Sequence, residues 1–117
     1  MTELPFLHTT VTLHLAQTAH LSAEAMGAYE VLRLHYWLKQ GPLPDNQSKL
    51  AKLARTTPQQ WRRVSDEVLS FFTLTPDGYR SSVLDAEITR ALDRSKKASE
   101  KAYKKWHSTA NAEEQHE

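Results

Sequence analysis

Asn46-Gln47-Ser48-Lys49-Leu50-Ala51-Lys52-Leu53-Ala54-Arg55-Thr56-Thr57-Pro58-Gln59-Gln60-Trp61-Arg62-Arg63 is the stretch whose reading decides the fold. It reads as a short helix, a tight turn and a second helix with a heavily signalled start. Thr57 suits the N-cap, Pro58 has its φ pre-set for the first helical position, and Gln60 stands where a capping box wants Glu or Gln. Leu50, Leu53 and Ala54 form the inward face of the first of these helices. Along the next, predicted from about Pro58 to Ser70, helical periodicity puts Trp61, Val64 and Val68 on one side. Gln59, Arg62, Arg63, Asp66 and Ser70 fall on the other. Between Asn46 and Ser65 there are five basic residues and no acidic one. A capped helix behind a basic one is what a helix-turn-helix needs in order to face a phosphate backbone.

Toward the N-terminus, Ser22 caps a long helix, with Glu24 in its first turn. From Met26 to Leu38 apolar residues occupy nearly every face, which predicts a buried central element. Gly41-Pro42 stops it, Pro44-Asp45 restarts the chain, and Asp45 is the expected cap of the next helix. Residues 4–15 alternate loosely, with β-branched Thr9, Thr10 and Thr12 among Phe6, Val11, Leu13 and Leu15, and predict a short strand or extended arm. Toward the C-terminus, Phe72–Thr75 and Tyr79–Val83 flank the turn triplet Pro76-Asp77-Gly78 and predict a β-hairpin. A last helix carries Leu84, Ile88, Ala91, Leu92, Ala98 and Ala102. Its second half predicts a basic helical extension that leaves the body, and residues 108–117 a disordered end. Three helices followed by a hairpin is the winged-helix arrangement. The expected fold is therefore mainly α with a small β-hairpin, a winged helix with a C-terminal helix. Residues 1–95 form the domain with its N-terminal arm, and 96–117 the basic extension and acidic tail.

The 117 residues suit one domain, and the net charge of +1 hides an uneven distribution. Arg94, Lys96, Lys97, Lys101, Lys104 and Lys105 face Glu100 alone between residues 94 and 105, whereas Glu113, Glu114 and Glu117 make the end acidic. Cysteine is absent, which removes disulfides and thiolate metal sites and fits a cytoplasmic location. No basic region precedes an apolar stretch at the N-terminus, and no long apolar run occurs. Export and membrane insertion are not expected.

Thr18-Ala19-His20-Leu21-Ser22, Glu24, Gly27-Ala28-Tyr29, Leu32 and Tyr36-Trp37 together resemble the signature of the YdaU-like prophage domain family. The resemblance continues through Gly41-Pro42-Leu43-Pro44-Asp45, Leu50-Ala51, Trp61, Val68-Leu69, Phe71-Phe72 and Asp77-Gly78-Tyr79, covering roughly residues 5–105. It implies a small winged-helix domain of phage and prophage replication regions, often N-terminal in a longer replication-initiation protein. Its members are expected to bind DNA or to work with the replication machinery. Two departures stand out. The chain ends shortly after the domain, so a helicase-loading or origin-binding region is not expected. Thr10, Thr12 and Leu13 also stand near where relatives carry an acidic residue.

On the DNA reading, Gln59, Arg62 and Arg63 reach bases or phosphate, Gln59 being of the type that reads adenine. Lys49, Lys52 and Arg55 contact the backbone, and Arg80 on the wing touches a neighbouring groove or phosphate. The alternative is that these are solvated faces of an ordinary helical domain, and Asp66 on the same outward face counts against DNA. The basic run from Arg94 to Lys105, with Tyr103 and Trp106, suits unpaired nucleic acid or a solvated helix end. Leu92, Ala98, Ala102 and Trp106 could instead form a homodimer stripe. No histidine pair has metal-site spacing, and there is no phosphate loop or nucleophile motif; neither catalysis nor a cofactor is expected. His20, Tyr29, Trp37 and Trp61 read as packing residues, and Phe71 and Phe72 as anchors of the hairpin. An adaptor for a replication protein and a transcriptional regulator are the alternatives to a DNA-binding replication protein.

Overall fold

The computed structural model describes residues 3–115, with side chains described from 3 to 106. Among the described residues five helices and one two-stranded antiparallel hairpin follow in order. They are α1 (Val11–Thr18), α2 (Ala23–Lys39), α3 (Gln47–Leu53), α4 (Pro58–Leu69), β1 (Thr73–Thr75), β2 (Gly78–Arg80) and α5 (Ser82–Gln115).

The short strand or extended arm predicted over residues 4–15 is corrected: Val11–Thr18 is helical, and residues 3–10 before it form no regular element. The apolar alternation that suggested a strand does not line a core. Val11, Leu13 and Leu15 are all more than half exposed. What anchors the segment is its polar face. The ring of His14 hydrogen-bonds Glu30 through Nε2, and the Arg33 guanidinium donates to the Thr9 hydroxyl at 2.9 Å. With no strand beside it, a helix is the conformation that satisfies the segment's own backbone groups, and this overrides the β-branched propensity.

Helix α2 is the hub, packing on α3, α4 and α5. Its Ser22 cap forms, with the hydroxyl accepting from the Ala25 N–H at 3.2 Å. Burial is one-sided rather than all round. Ala25, Ala28, Tyr29, Leu32, Tyr36 and Trp37 make an inward stripe at helical spacing, whereas Leu34 and Leu38 are exposed. The helix stops at Gln40 in the left-handed region (φ 56°), its N–H donating to the Tyr36 and Trp37 carbonyls. The Trp37 indole donates to the Leu4 carbonyl at 2.6 Å, tying the N-terminal segment down.

The cap of α3 is Asn46 rather than the expected Asp45: its Oδ1 accepts from the Lys49 N–H at 3.0 Å, a bond that residue 45 lies one position too early to make. At the other end the Thr56 N–H donates to the Ala51 carbonyl and the Arg55 N–H to that of Lys52, at 2.9 and 3.1 Å. This is a Schellman motif, with Arg55 (φ 59°) where glycine is the usual choice. The capping box of α4 forms as expected. The Gln60 N–H donates to the Thr57 hydroxyl at 3.2 Å, and the Thr57 N–H to Gln60 Oε1 at 2.9 Å. Trp61, Val64 and Val68 are buried, and the Trp61 indole donates to Gln47 Oε1 at 2.7 Å, locking α4 against α3.

Tyr29 and Phe71 stack with ring centroids 4.3 Å apart, and Phe72 is buried beside Tyr29 and Tyr36. The hairpin therefore leaves a fixed aromatic anchor. Its register pairs Thr73 with Arg80, Leu74 with Tyr79 and Thr75 with Gly78. Gly78 belongs to β2, so only Pro76 and Asp77 make the connection. Leu43, between α2 and α3, bridges to Tyr79 and extends the pairing by one residue. The expected second strand is also shorter, because Ser82 and Val83 are already helical. Ser81, buried, accepts from the Leu84 N–H at 3.1 Å as an N-cap does.

Helix α5 packs through Leu84, Ile88, Ala91 and the half-buried Leu92. Beyond Leu92 it projects away: the structure spans 73 × 30 × 22 Å, and a 34-residue helix is about 50 Å long. The expected disordered stretch falls beyond the residues described with side chains, and positions 116 and 117 lie outside the described residues. No helix among the described residues is long and apolar enough to cross a membrane.

Candidate nucleic-acid interface

The seven residues singled out from the sequence lie on three elements, and the structure divides them by what their charges meet. Lys49, Lys52 and Arg55 are exposed on α3 and its end, and Gln59, Arg62 and Arg63 on the outer face of α4. Arg80 closes β2 and is 40% exposed. Lys49, Lys52, Arg55 and Arg62 have no carboxylate within ion-pair distance among the described residues. Arg62 instead lies along its own helix, its Nε donating to the Pro58 carbonyl at 3.4 Å.

Arg63 and Arg80 are engaged. Arg63 reaches Glu24 at the start of α2, with 2.9 Å between Nη2 and Oε1. Arg80 sits 3.5 Å from Asp85 and 3.9 Å from Asp77. The Asp85 carboxylate also accepts from the Tyr36 hydroxyl, which in turn accepts from the Ser81 N–H at 3.1 Å. Burial raises the Tyr36 hydroxyl above its ordinary pKa, and the bond to Asp85 adds to the effect. Arg80 is thus the outer member of a network that runs outward from the buried Tyr36 hydroxyl through the half-buried Asp85 and pins the hairpin to α2 and α5.

Two concavities flank the α3–α4 pair. One lies between the helices, lined by Gln47, Ala51, Lys52, Pro58, Trp61 and Arg62, and brings Lys52 and Arg62 to one opening. The other lies between α3 and the end of α2 and brings Lys49, Lys52 and Arg55 together with Lys39. Sequence reasoning passed over Lys39. The available signal was its place in the last turn of α2, but only the fold brings that turn beside α3.

The aromatic residues read as core are core: Tyr29, Trp37 and Trp61 are buried. His20 packs on Phe71 with ring centroids 5.9 Å apart. Tyr103 and Trp106 on the projecting half of α5 are exposed, 63% and 73%. Among the described residues no three His, Asp or Glu side chains gather as a metal site requires.

This mainly helical domain, with its hairpin and its cationic helix pair, has a family. Residues 5–89 match the family described as "Protein of unknown function (DUF1376)", and the chain belongs to it. Over 72 residues it is 42% identical to the "Uncharacterized protein YdaU" of Escherichia coli (strain K12). That match covers 62% of this chain and 25% of the relative, so the chain spans about a quarter of the relative's length. No solved structure matches.

Proposed function

We propose that the chain is a non-enzymatic DNA-binding protein of winged-helix type, from a phage or prophage replication setting. The winged-helix reading is supported by the succession α2, α3, α4 and hairpin, together with the pairing of Leu43 to β2 ahead of α3. The replication setting rests on the family resemblance, and the transcriptional role keeps the same surface.

One observation carries the DNA reading. Arg55 occupies a left-handed position that favours glycine, a strain of about 1–2 kcal/mol for a residue with a Cβ, and its guanidinium has no acidic partner among the described residues. Gln40 ends α2 in the same conformation, so it is the unpartnered charge at this position, rather than the backbone alone, that points to function. The site it marks is the elbow between α3 and α4, with Lys49 and Lys52 on one side and Gln59 and Arg62 on the other. In this reading α4 enters the major groove through Gln59 and Arg62, and Lys49, Lys52 and Arg55 neutralise phosphates. Arg63 and Arg80, already paired, contribute less than their charges suggest. The test is anisotropy of labelled duplex and single-stranded DNA at two salt concentrations, with Lys52→Ala and Arg62→Ala beside the wild type.

A second reading has its own observation. The projecting half of α5 holds Tyr103 and Trp106 in the open, which suits an adaptor surface for a replication partner or a homodimer.

A further inference from the structure

The groove between the end of α2 and α3 is not accounted for by DNA. Its floor is aliphatic, built from Leu38, Leu43, Pro44 and Leu53. Leu38 is 75% exposed, although it lies on a helix whose other face is the centre of the core. Around this floor stand Lys39, Lys49, Lys52 and Arg55, and no acidic residue lines the groove. None of the four cations is in an ion pair among the described residues.

We infer that this groove docks an acidic amphipathic helix of a partner protein. Apolar side chains at helical spacing on such a helix would cover Leu38 and Leu53, and its flanking carboxylates would meet the ring of cations. The chemistry of the floor chooses this occupant over nucleic acid. Unpaired bases bind on aromatic faces, and the lining has none beyond the ring of His35. A duplex would engage the cations but leave the leucines bare. Concavity favours a convex ridge, as a helix presents. The groove shares Lys49, Lys52 and Arg55 with the proposed DNA surface, whereas Leu38 and Lys39 belong to the groove alone. DNA and the partner helix therefore compete, which would let the partner displace the domain from DNA.

The probe is a labelled synthetic helix of about 16 residues, with leucine at helical spacing on one face and glutamate beside it. Two controls replace its glutamates by lysine or its leucines by serine. Binding is read by anisotropy on wild type, Leu38→Ser and Lys39→Glu. Both positions are exposed, so the variants are expected to fold, which circular dichroism checks. The acidic probe should bind better than both controls, and each substitution should weaken it about tenfold, the equivalent of partly burying one leucine or losing one charge contact. Duplex DNA affinity should stay unchanged in Leu38→Ser, whose substitution alters no charge. Three results would overturn the inference: no preference for the acidic probe, equal binding to Leu38→Ser, or DNA affinity that itself falls in Leu38→Ser. The first two would leave the DNA reading standing, and absent DNA binding would leave the groove reading standing.

Discussion

Leu43 and Tyr79 exchange two backbone hydrogen bonds, each 2.9 Å long. That pair ties the hairpin to the connection between α2 and α3, and so fixes where the hairpin stands relative to α3 and α4. Gly78 makes the approach possible. It has φ +124°, and a Cβ there would stand 2.2 Å from the Leu43 carbonyl oxygen. Gly78→Ala should therefore destabilise the fold by about 2–3 kcal/mol, from backbone strain and from the opened bridge. Urea unfolding measures it, and a midpoint equal to wild type would mean that the bridge does not form.

Trp61 joins α4 to the core and, through its indole N–H, to Gln47 of α3. Trp61→Ala should destabilise by about 3–5 kcal/mol. Gln47→Ala removes only the bond, and leaving the buried donor unpaired should destabilise by about 1–2 kcal/mol. Thermal melts of the two variants separate packing from hydrogen bonding.

Arg55 allows stability and binding to be moved in opposite directions. Arg55→Gly relieves the left-handed backbone at the end of α3, and part of the gain is offset by the freer unfolded chain. Stability should rise by about 0.5–1 kcal/mol. DNA affinity should fall in the same variant. A loss of stability would mean that the arginine is there for the fold.

The Tyr36 hydroxyl gives the protein an alkaline limit. Its pKa is raised in the folded state, mainly by burial, so the folded form holds its proton more tightly than the unfolded form. The stability this contributes is complete below the unfolded tyrosine pKa of about 10 and is lost as pH rises through the folded value. Stability should thus drop above about pH 10. Tyr36→Phe should flatten that drop while lowering stability at neutral pH by about 1–3 kcal/mol, because the Ser81 N–H and Asp85 lose their partner. Denaturant midpoints measured from pH 7 upward check both effects.

Local signals in the chain were legible and interactions between distant segments were not. The Thr57–Gln60 capping box, the Ser22 cap and the buried side of α4 depend on residues within a turn or two of each other. Periodicity and side-chain chemistry suffice for these. Helix α1 was misread because Val11, Leu13 and Leu15 mimic a strand face, while its actual anchor, His14 on Glu30, spans 16 positions. The Asn46 cap was missed by one residue, Asp45 and Asn46 being chemically equivalent for the purpose. At the site, all seven residues were found on exposed or half-exposed positions, as their polarity demands. That Arg63 meets Glu24 and Arg80 meets Asp85 depends on how α2, α4 and α5 pack, and no local pattern encodes it. Lys39 was missed for the same reason.

The most direct measurement is the salt dependence of duplex DNA affinity for the wild type, Lys52→Ala, Arg62→Ala and Arg63→Ala. The three cations assigned to phosphates, Lys49, Lys52 and Arg55, predict a slope of log affinity against log salt of roughly −3, less steep by about one in Lys52→Ala, whereas Arg62→Ala lowers affinity with a smaller change of slope. Arg63→Ala should change the slope least, its charge being paired with Glu24. No binding at low salt, or a slope that none of the substitutions alters, would contradict the assignment of the α3–α4 face to DNA.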